Sequence, residues 1–164
     1  MKKIYLVRHA KSSWEYTGIN DHERPLNHRG EQDAPIMATR ILEQFEIPQL
    51  LVTSSAKRAY DTAILFSKVF NTPSEHFKVE KNLYHADIED LMSCINGIDD
   101  QYDHVCLFAH NPGITYFANI VCEANIHDIA TAGILIMEAN VSSWHNIEAH
   151  DITLISYIYP KMED

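Results

Sequence analysis

Three short segments carry residue types able to handle a phosphorylated group. They are Arg8-His9-Ala10-Lys11-Ser12-Ser13-Trp14, Thr53-Ser54-Ser55 with Arg58 close behind, and His110-Asn111-Pro112-Gly113. Arginine presents a planar, permanently charged fork that binds two oxygens at once. Phosphoryl transfer spreads negative charge over three equatorial oxygens, and fixed cations stabilise that state. A histidine among such cations loses basicity and stays neutral, which preserves a ring lone pair for attack. If a backbone carbonyl holds Nδ1–H, the attacking atom is Nε2. Arg8, His9, Arg58 and His110 are therefore the candidate catalytic residues, and Lys11, Ser12, Ser13 and Asn111 the candidate substrate contacts. Taken singly, each has a plainer reading: Arg58 as a solvated helix arginine, His110 as a capping or buried histidine, Lys11 to Ser13 as a polar loop. Arg24 and Arg29 either widen a basic mouth or pair with nearby acids. Only their convergence makes a site.

That convergence requires the elements to alternate. Ile4–Val7 is a continuous apolar run, as in a strand covered on both faces. Asp33–Phe45 follows a helical period, with Ala34, Met37, Ala38, Ile41, Leu42 and Phe45 on one face. Pro48 closes that region, and Leu50–Thr53 reads as a second strand. Ser54 or Ser55 is the expected cap of a helix that turns Ala59, Ala63, Phe66 and Phe70 inward. Phe77–Val79 is a short strand, and Ile88–Ile95 a helix with Asp87 as cap and Gly97 as stop. His104–Ala109 is an apolar strand. Asn111 and Pro112 then suggest a cap and a first helical position, followed by a stripe of Ile114, Phe117, Ala118, Val121 and Cys122. Gly133–Glu138 and Ile152–Tyr159 read as strands joined by a polar connection, hence an antiparallel edge. The pattern predicts a three-layer α/β/α sandwich with a mostly parallel central sheet, and a single domain over residues 1–164. In such sheets ligands bind beyond the carboxyl ends of the strands, where all three segments fall. A helix N-terminus there would add its dipole to the attraction for an anion.

Composition narrows the partners. The chain of 164 residues has a formal net charge of −10, which disfavours nucleic acid and anionic membrane. Its three cysteines form no CxxC pair, and an unframed odd number fits a reducing compartment, the cytoplasm. The apolar run after Met1 is too short for a signal peptide, and no stretch reaches membrane-spanning length. No HExxH-like spacing occurs among the histidines, so neither metal nor other cofactor is expected.

Leu6-Val7-Arg8-His9-Ala10-Lys11-Ser12-Ser13-Trp14 resembles the opening motif of the histidine phosphatase superfamily, which includes phosphoglycerate mutases and acid phosphatases. Thr53-Ser54-Ser55-Ala56-Lys57-Arg58-Ala59-Tyr60-Asp61-Thr62-Ala63 is similar to its second motif and His110-Asn111-Pro112-Gly113 to its third, with Arg24-Pro25-Leu26 and Arg29-Gly30 also matching in order. The Arg-His-Ala-Lys-Ser opening is nearest the SixA-like phosphohistidine phosphatases. The resemblance implies a phosphoglycerate mutase-like fold and a phosphorylated nucleophile at His9. It further implies a clamp of Arg8 and Arg58 on the phosphoryl oxygens, with His110 as a further donor. The substrate would be a phosphorylated protein or a small phosphorylated compound. Two departures stand out: Ala10 replaces the usual glycine, and no glutamate occupies the place of the mutase acid. Glu80, Asp87, Glu89 and Asp21 are the near misses. Imidazole leaves more readily than an alkoxide, so the missing acid suits a phosphohistidine substrate. The alternatives are a broad phosphomonoesterase and a non-catalytic member that only binds phosphorylated partners. The sequence does not fix the oligomeric state.

Overall fold

In the computed structural model, which describes residues 1–161, the chain alternates strands and helices. In order they are β1 (Lys2–Arg8), α1 (His28–Gln44), β2 (Leu50–Thr53), α2 (Lys57–Phe70), β3 (Phe77–Val79), α3 (Ile88–Asn96), β4 (His104–Ala109), α4 (Gly113–Tyr116), β5 (Ile134–Ala139) and β6 (Ile152–Ile158). The six strands form one sheet in the order β3-β2-β4-β1-β5-β6. The first four run parallel, and β5 and β6 add the antiparallel edge.

Strand alternation divides the core into two layers. Along β1, Ile4 and Leu6 join Leu91 and Ile95 of α3, Ile114 and Phe117 beyond β4, and the fully buried Trp144. Tyr5 and Val7 face the opposite side, against Ala34, Met37, Ala38 and Ile41 of α1 and Ala63, Phe66 and Phe70 of α2. Helices thus cover both faces of the sheet, in three layers.

Several boundaries differ from the sequence reading. Helix α1 begins at His28, because the Asn27 side chain accepts from the Gly30 amide at 2.9 Å and caps an earlier turn. Leu42 is exposed and Phe45 only half-buried, so the core stripe of α1 ends at Ile41. Neither Ser54 nor Ser55 caps α2. Ala56 takes that position, and the Ser54 hydroxyl accepts from the Ala56 amide while bonding the His110 ring. Helix α4 is four residues long and continues as a π-helical turn over Phe117–Val121. So short a helix sums few aligned peptide dipoles, and the dipole expected beside the third segment is accordingly small. Asp87 does cap α3, in a reciprocal box with Asp90, and Gly97 ends it.

Candidate active site

The order β2-β4-β1 puts three adjacent parallel strands with their carboxyl ends side by side. Register pairs Arg8 with Ala109 and Thr53 with Phe108, so His9, Ser54 and His110 leave the sheet next to one another. Backbone bonds extend the ladder past the strands: His9 N donates to Ala109 O at 3.2 Å and Ser54 N to Phe108 O at 3.0 Å. Neighbouring strands lie about 4.8 Å apart, so adjacency alone brings the rings close. The His9 and His110 ring centroids are 5.2 Å apart.

Each ring is oriented by its second nitrogen. His9 Nδ1 donates to the Ala10 carbonyl at 2.8 Å, and its Nε2 makes no hydrogen bond among the described residues. His110 Nε2 lies 2.8 Å from the Ser54 hydroxyl. The hydroxyl accepts from the Ala56 amide and keeps a second lone pair and its proton for that ring; where it donates to Nε2, the His110 proton lies on Nδ1. His110 Nδ1 is buried and has no hydrogen-bond partner among the described residues.

Three guanidiniums surround these rings. Arg8 donates to the Ile129 carbonyl at 2.7 Å and lies 3.9 Å from the Asp128 carboxylate. Arg58 reaches from the first turn of α2 to the Asp21 carbonyl at 2.8 Å and its carboxylate at 3.0 Å. Arg24 bonds the Ser12 hydroxyl and the Asp21 carboxylate, and stacks 3.7 Å over the Trp14 ring. The Nε atom of each of the three is buried without a partner among the described residues. Together they line a cavity of about 410 Å³ that also takes in His9, Lys11, His110 and Thr131.

Burial governs the electrostatics. Desolvation pushes His9 down from 6.5 to about 3, with the Arg58, Arg8 and Arg24 charges as lesser contributors. The sequence reading gave the cations the leading part; the structure gives it to burial, since His9 is only 7% exposed. His110 falls to about 2, again chiefly by desolvation. Both imidazoles are therefore neutral at ordinary pH. Asp21 is held well below the usual carboxylate range by the Tyr84 hydroxyl, 2.7 Å away, and by Arg58 and Arg24. It is a poor proton donor but a firm anchor for two arginines.

Arg8, His9, Arg58 and His110 thus meet at one cavity, and so do Lys11, Ser12, Ser13 and Asn111. Their free groups differ, however. Asn111 already spends its amide on Asp128 and Ile129 and its oxygen on Thr115, so it braces the loop that receives Arg8. Ser13 accepts from the Glu15 amide and Ser12 from Arg24. Lys11 is exposed. Glu80 caps a local turn and Asp87 caps α3, and Glu15 is the one carboxylate residue among the described cavity-lining residues. Sequence reasoning missed Ser54 as the partner of His110, Tyr84 as the partner of Asp21, and Trp14 and Glu15 as cavity walls. Ser54 and Trp14 left a signal, each by lying within a polar segment at the end of an apolar strand run. No group of three or more His, Cys, Asp or Glu side chains able to hold a metal ion occurs among the described residues, and no helix there is long and apolar enough to cross a membrane.

An α/β sheet with two neutral histidines and three arginines at one rim defines a class of phosphate-handling proteins. The sequence profile of the histidine phosphatase superfamily (branch 1) matches residues 4–91, more than half the chain, and the chain belongs to that family. An uncharacterised chloroplastic protein of Arabidopsis thaliana is 39% identical over 61 residues, 37% of this chain and 28% of that one. The chain thus matches little of that relative's length. An uncharacterised Mycobacterium tuberculosis protein is 24% identical over 94% of this chain and all of its own. The fold is shared with a candidate phosphohistidine phosphatase, SixA, of Agrobacterium tumefaciens, at TM-score 0.81 and 24% identity over 97% of this chain and 98% of that one. A protein histidine phosphatase SixA complexed with tungstate superposes at TM-score 0.80 with 19% identity, covering 96% and 97% of the two chains. A mycobacterial glucosyl-3-phosphoglycerate phosphatase complexed with VO3 gives 0.67 and 14%, over 94% and 96%.

Proposed function

We propose that this chain is a SixA-type phosphatase that removes the phosphoryl group from phosphohistidine through a covalent intermediate on His9. The observation that carries the reading is the unengaged Nε2 of a buried, neutral His9 within a ring of guanidiniums and beside the unpartnered Nδ1 of His110. In the first displacement Nε2 attacks phosphorus, and the bond to the substrate imidazole breaks as that ring departs with the electron pair and takes a proton from water. In the second, water attacks phosphorus, gives its proton to the hydroxide left by the first step, and releases inorganic phosphate from His9, splitting one hard hydrolysis into two steps. Arg8 and Arg58 hold the phosphoryl oxygens, and His110 Nδ1–H donates to the oxygen that gains charge. The guanidiniums supply the positive charge, so turnover needs no metal ion. Tungstate, bound by one SixA of the same fold, is a tetrahedral oxyanion like phosphate.

Proton supply supports this choice of substrate. Asp21 is locked in its ionised form, and Glu15 sits exposed on the loop after the nucleophile. A leaving imidazole needs less help from an acid than an alkoxide does. The reading includes a single domain over residues 1–164 and a cytoplasmic setting, where phosphorylated proteins are met. Turnover of phosphohistidine and phosphoserine peptides, each with and without chelator, tests it. Phosphohistidine should be hydrolysed faster and chelator should change nothing; equal or faster phosphoserine turnover would refute the substrate. The position of Glu15 in the cavity wall favours a second reading, a phosphomonoesterase with Glu15 as acid. In that case Glu15→Gln would abolish phosphoserine turnover.

A further inference from the structure

Beside the catalytic cavity lies a second hollow of about 450 Å³ that shares Arg8, Lys11 and Thr131 with it. Its outer wall carries Arg29 and Lys161, with Asp33 as the single acid among the described lining residues. Counting both hollows, six of the chain's 13 lysines and arginines face one trough of a molecule whose net charge is −10.

The trough is built by specific contacts. Lys11 O accepts from the Asn27 amide at 3.0 Å, and Gly30 packs its bare Cα where any side chain would collide with that same carbonyl. The first turn of α1, with Arg29, is thereby pressed against the segment that follows the nucleophile. At the other wall Arg40 donates to the carbonyls of Tyr159 at 2.7 Å and Pro160 at 3.2 Å, fixing the turn that delivers Lys161. Arg29 meets Asp33 only at 3.4 Å and remains half-exposed, so most of its charge is uncommitted.

A phosphoryl group bound between Arg8, Arg58 and His9 leaves Lys11, Arg29 and Lys161 outside the phosphoryl site, with the long Asp33 contact of Arg29 as the carboxylate in their hollow. We infer that this hollow is a second anion subsite, which selects substrates bearing another negative group near the phosphoryl group. The inference extends the phosphatase reading by naming its substrate class. An acidic side chain flanking a phosphohistidine, or a second phosphate on a small molecule, supplies the same chemistry. Exposed ion pairs each contribute a few-fold in affinity, so three cations acting on one anion give about tenfold.

Binding rather than turnover tests this, so that the two claims fail separately. Two ligand pairs are titrated calorimetrically at low salt. One is a phosphoryltriazolylalanine peptide, a stable phosphohistidine mimic, flanked by Glu or by Gln. The other is butane-1,4-bisphosphonate against butylphosphonate. In the unaltered protein the second anion should tighten Kd about tenfold in at least one pair, and the pair that responds identifies its source. In the double variant Arg29→Gln, Lys161→Gln, both exposed positions, that preference should fall below about threefold while the singly anionic ligands bind as before. Equal binding within both pairs, or a preference that survives the double substitution, would overturn the subsite. A preference that persists in a protein found to hydrolyse nothing would uphold the subsite and sink the phosphatase reading alone.

Discussion

Replacing His9 by glutamine should make the fold less sensitive to acid, and the size of the effect follows from the buried rings. An unfolded chain protonates His9 and His110 as pH drops through about 6.5. The folded chain, with these rings at about 3 and about 2, does not. The unfolded state then binds more protons, so stability is present above pH 6.5 and drains away below it. Each ring contributes about 1.4 kcal/mol per pH unit, or about 2.7 kcal/mol of lost stability by pH 4.5. Two rings cost about 5 kcal/mol, a large share of a small domain's total. Because pH 4.5 lies above both folded values, the result does not depend on how deeply they are depressed. Urea unfolding of the wild type and His9→Gln at pH 8.0 and 4.5 gives the comparison. The wild type should lose about 2.7 kcal/mol more than the variant over that interval. Equal losses would mean that His9 takes up its proton normally in the folded state, and that burial does not keep it neutral.

Two further substitutions probe the surrounding groups by steady-state kinetics. Arg58→Lys should lower kcat/KM about 100-fold or more, because an ammonium cannot keep both bonds to Asp21 and also hold phosphoryl oxygens; near-normal activity would show that a point charge suffices. Ser54→Ala should reduce kcat about tenfold with KM little changed, since it frees the His110 ring without removing a cation. It should also cost about 1–3 kcal/mol of stability by stranding buried polar atoms, so a kcat loss without a change in unfolding midpoint would speak against this account.

The layers of the fold were legible because strand runs such as Ile4–Val7 and helix stripes such as Ala34–Ile41 carry their period openly. The parallel sheet with an antiparallel edge followed from that alternation, whereas strand order did not. Nothing local in the chain says that β4 inserts between β1 and β2, the fact that makes His9 and His110 neighbours. The three chemical segments were visible because Arg, His and Ser cluster at apolar strand ends. What could not be read was how each polar side chain is spent. Ser54 looked like a helix cap and instead orients His110. Asn111 looked like a substrate contact, but it ties down the loop of Asp128 and Ile129. Asp21, considered as a proton donor, is pinned by Tyr84, which lies 63 residues away in sequence. Such pairings depend on loops meeting in space, and periodicity carries no record of them.

The central claim is a covalent phosphoryl group on Nε2 of His9, and rapid-quench labelling measures it directly. Enzyme mixed with a radiolabelled phosphohistidine peptide and stopped in alkali within milliseconds should carry an acid-labile, base-stable label that maps to His9 and decays as phosphate appears. His9→Ala, folded by circular dichroism, should carry none. Turnover at full rate with no label on His9, or with the label on another residue, would contradict the account.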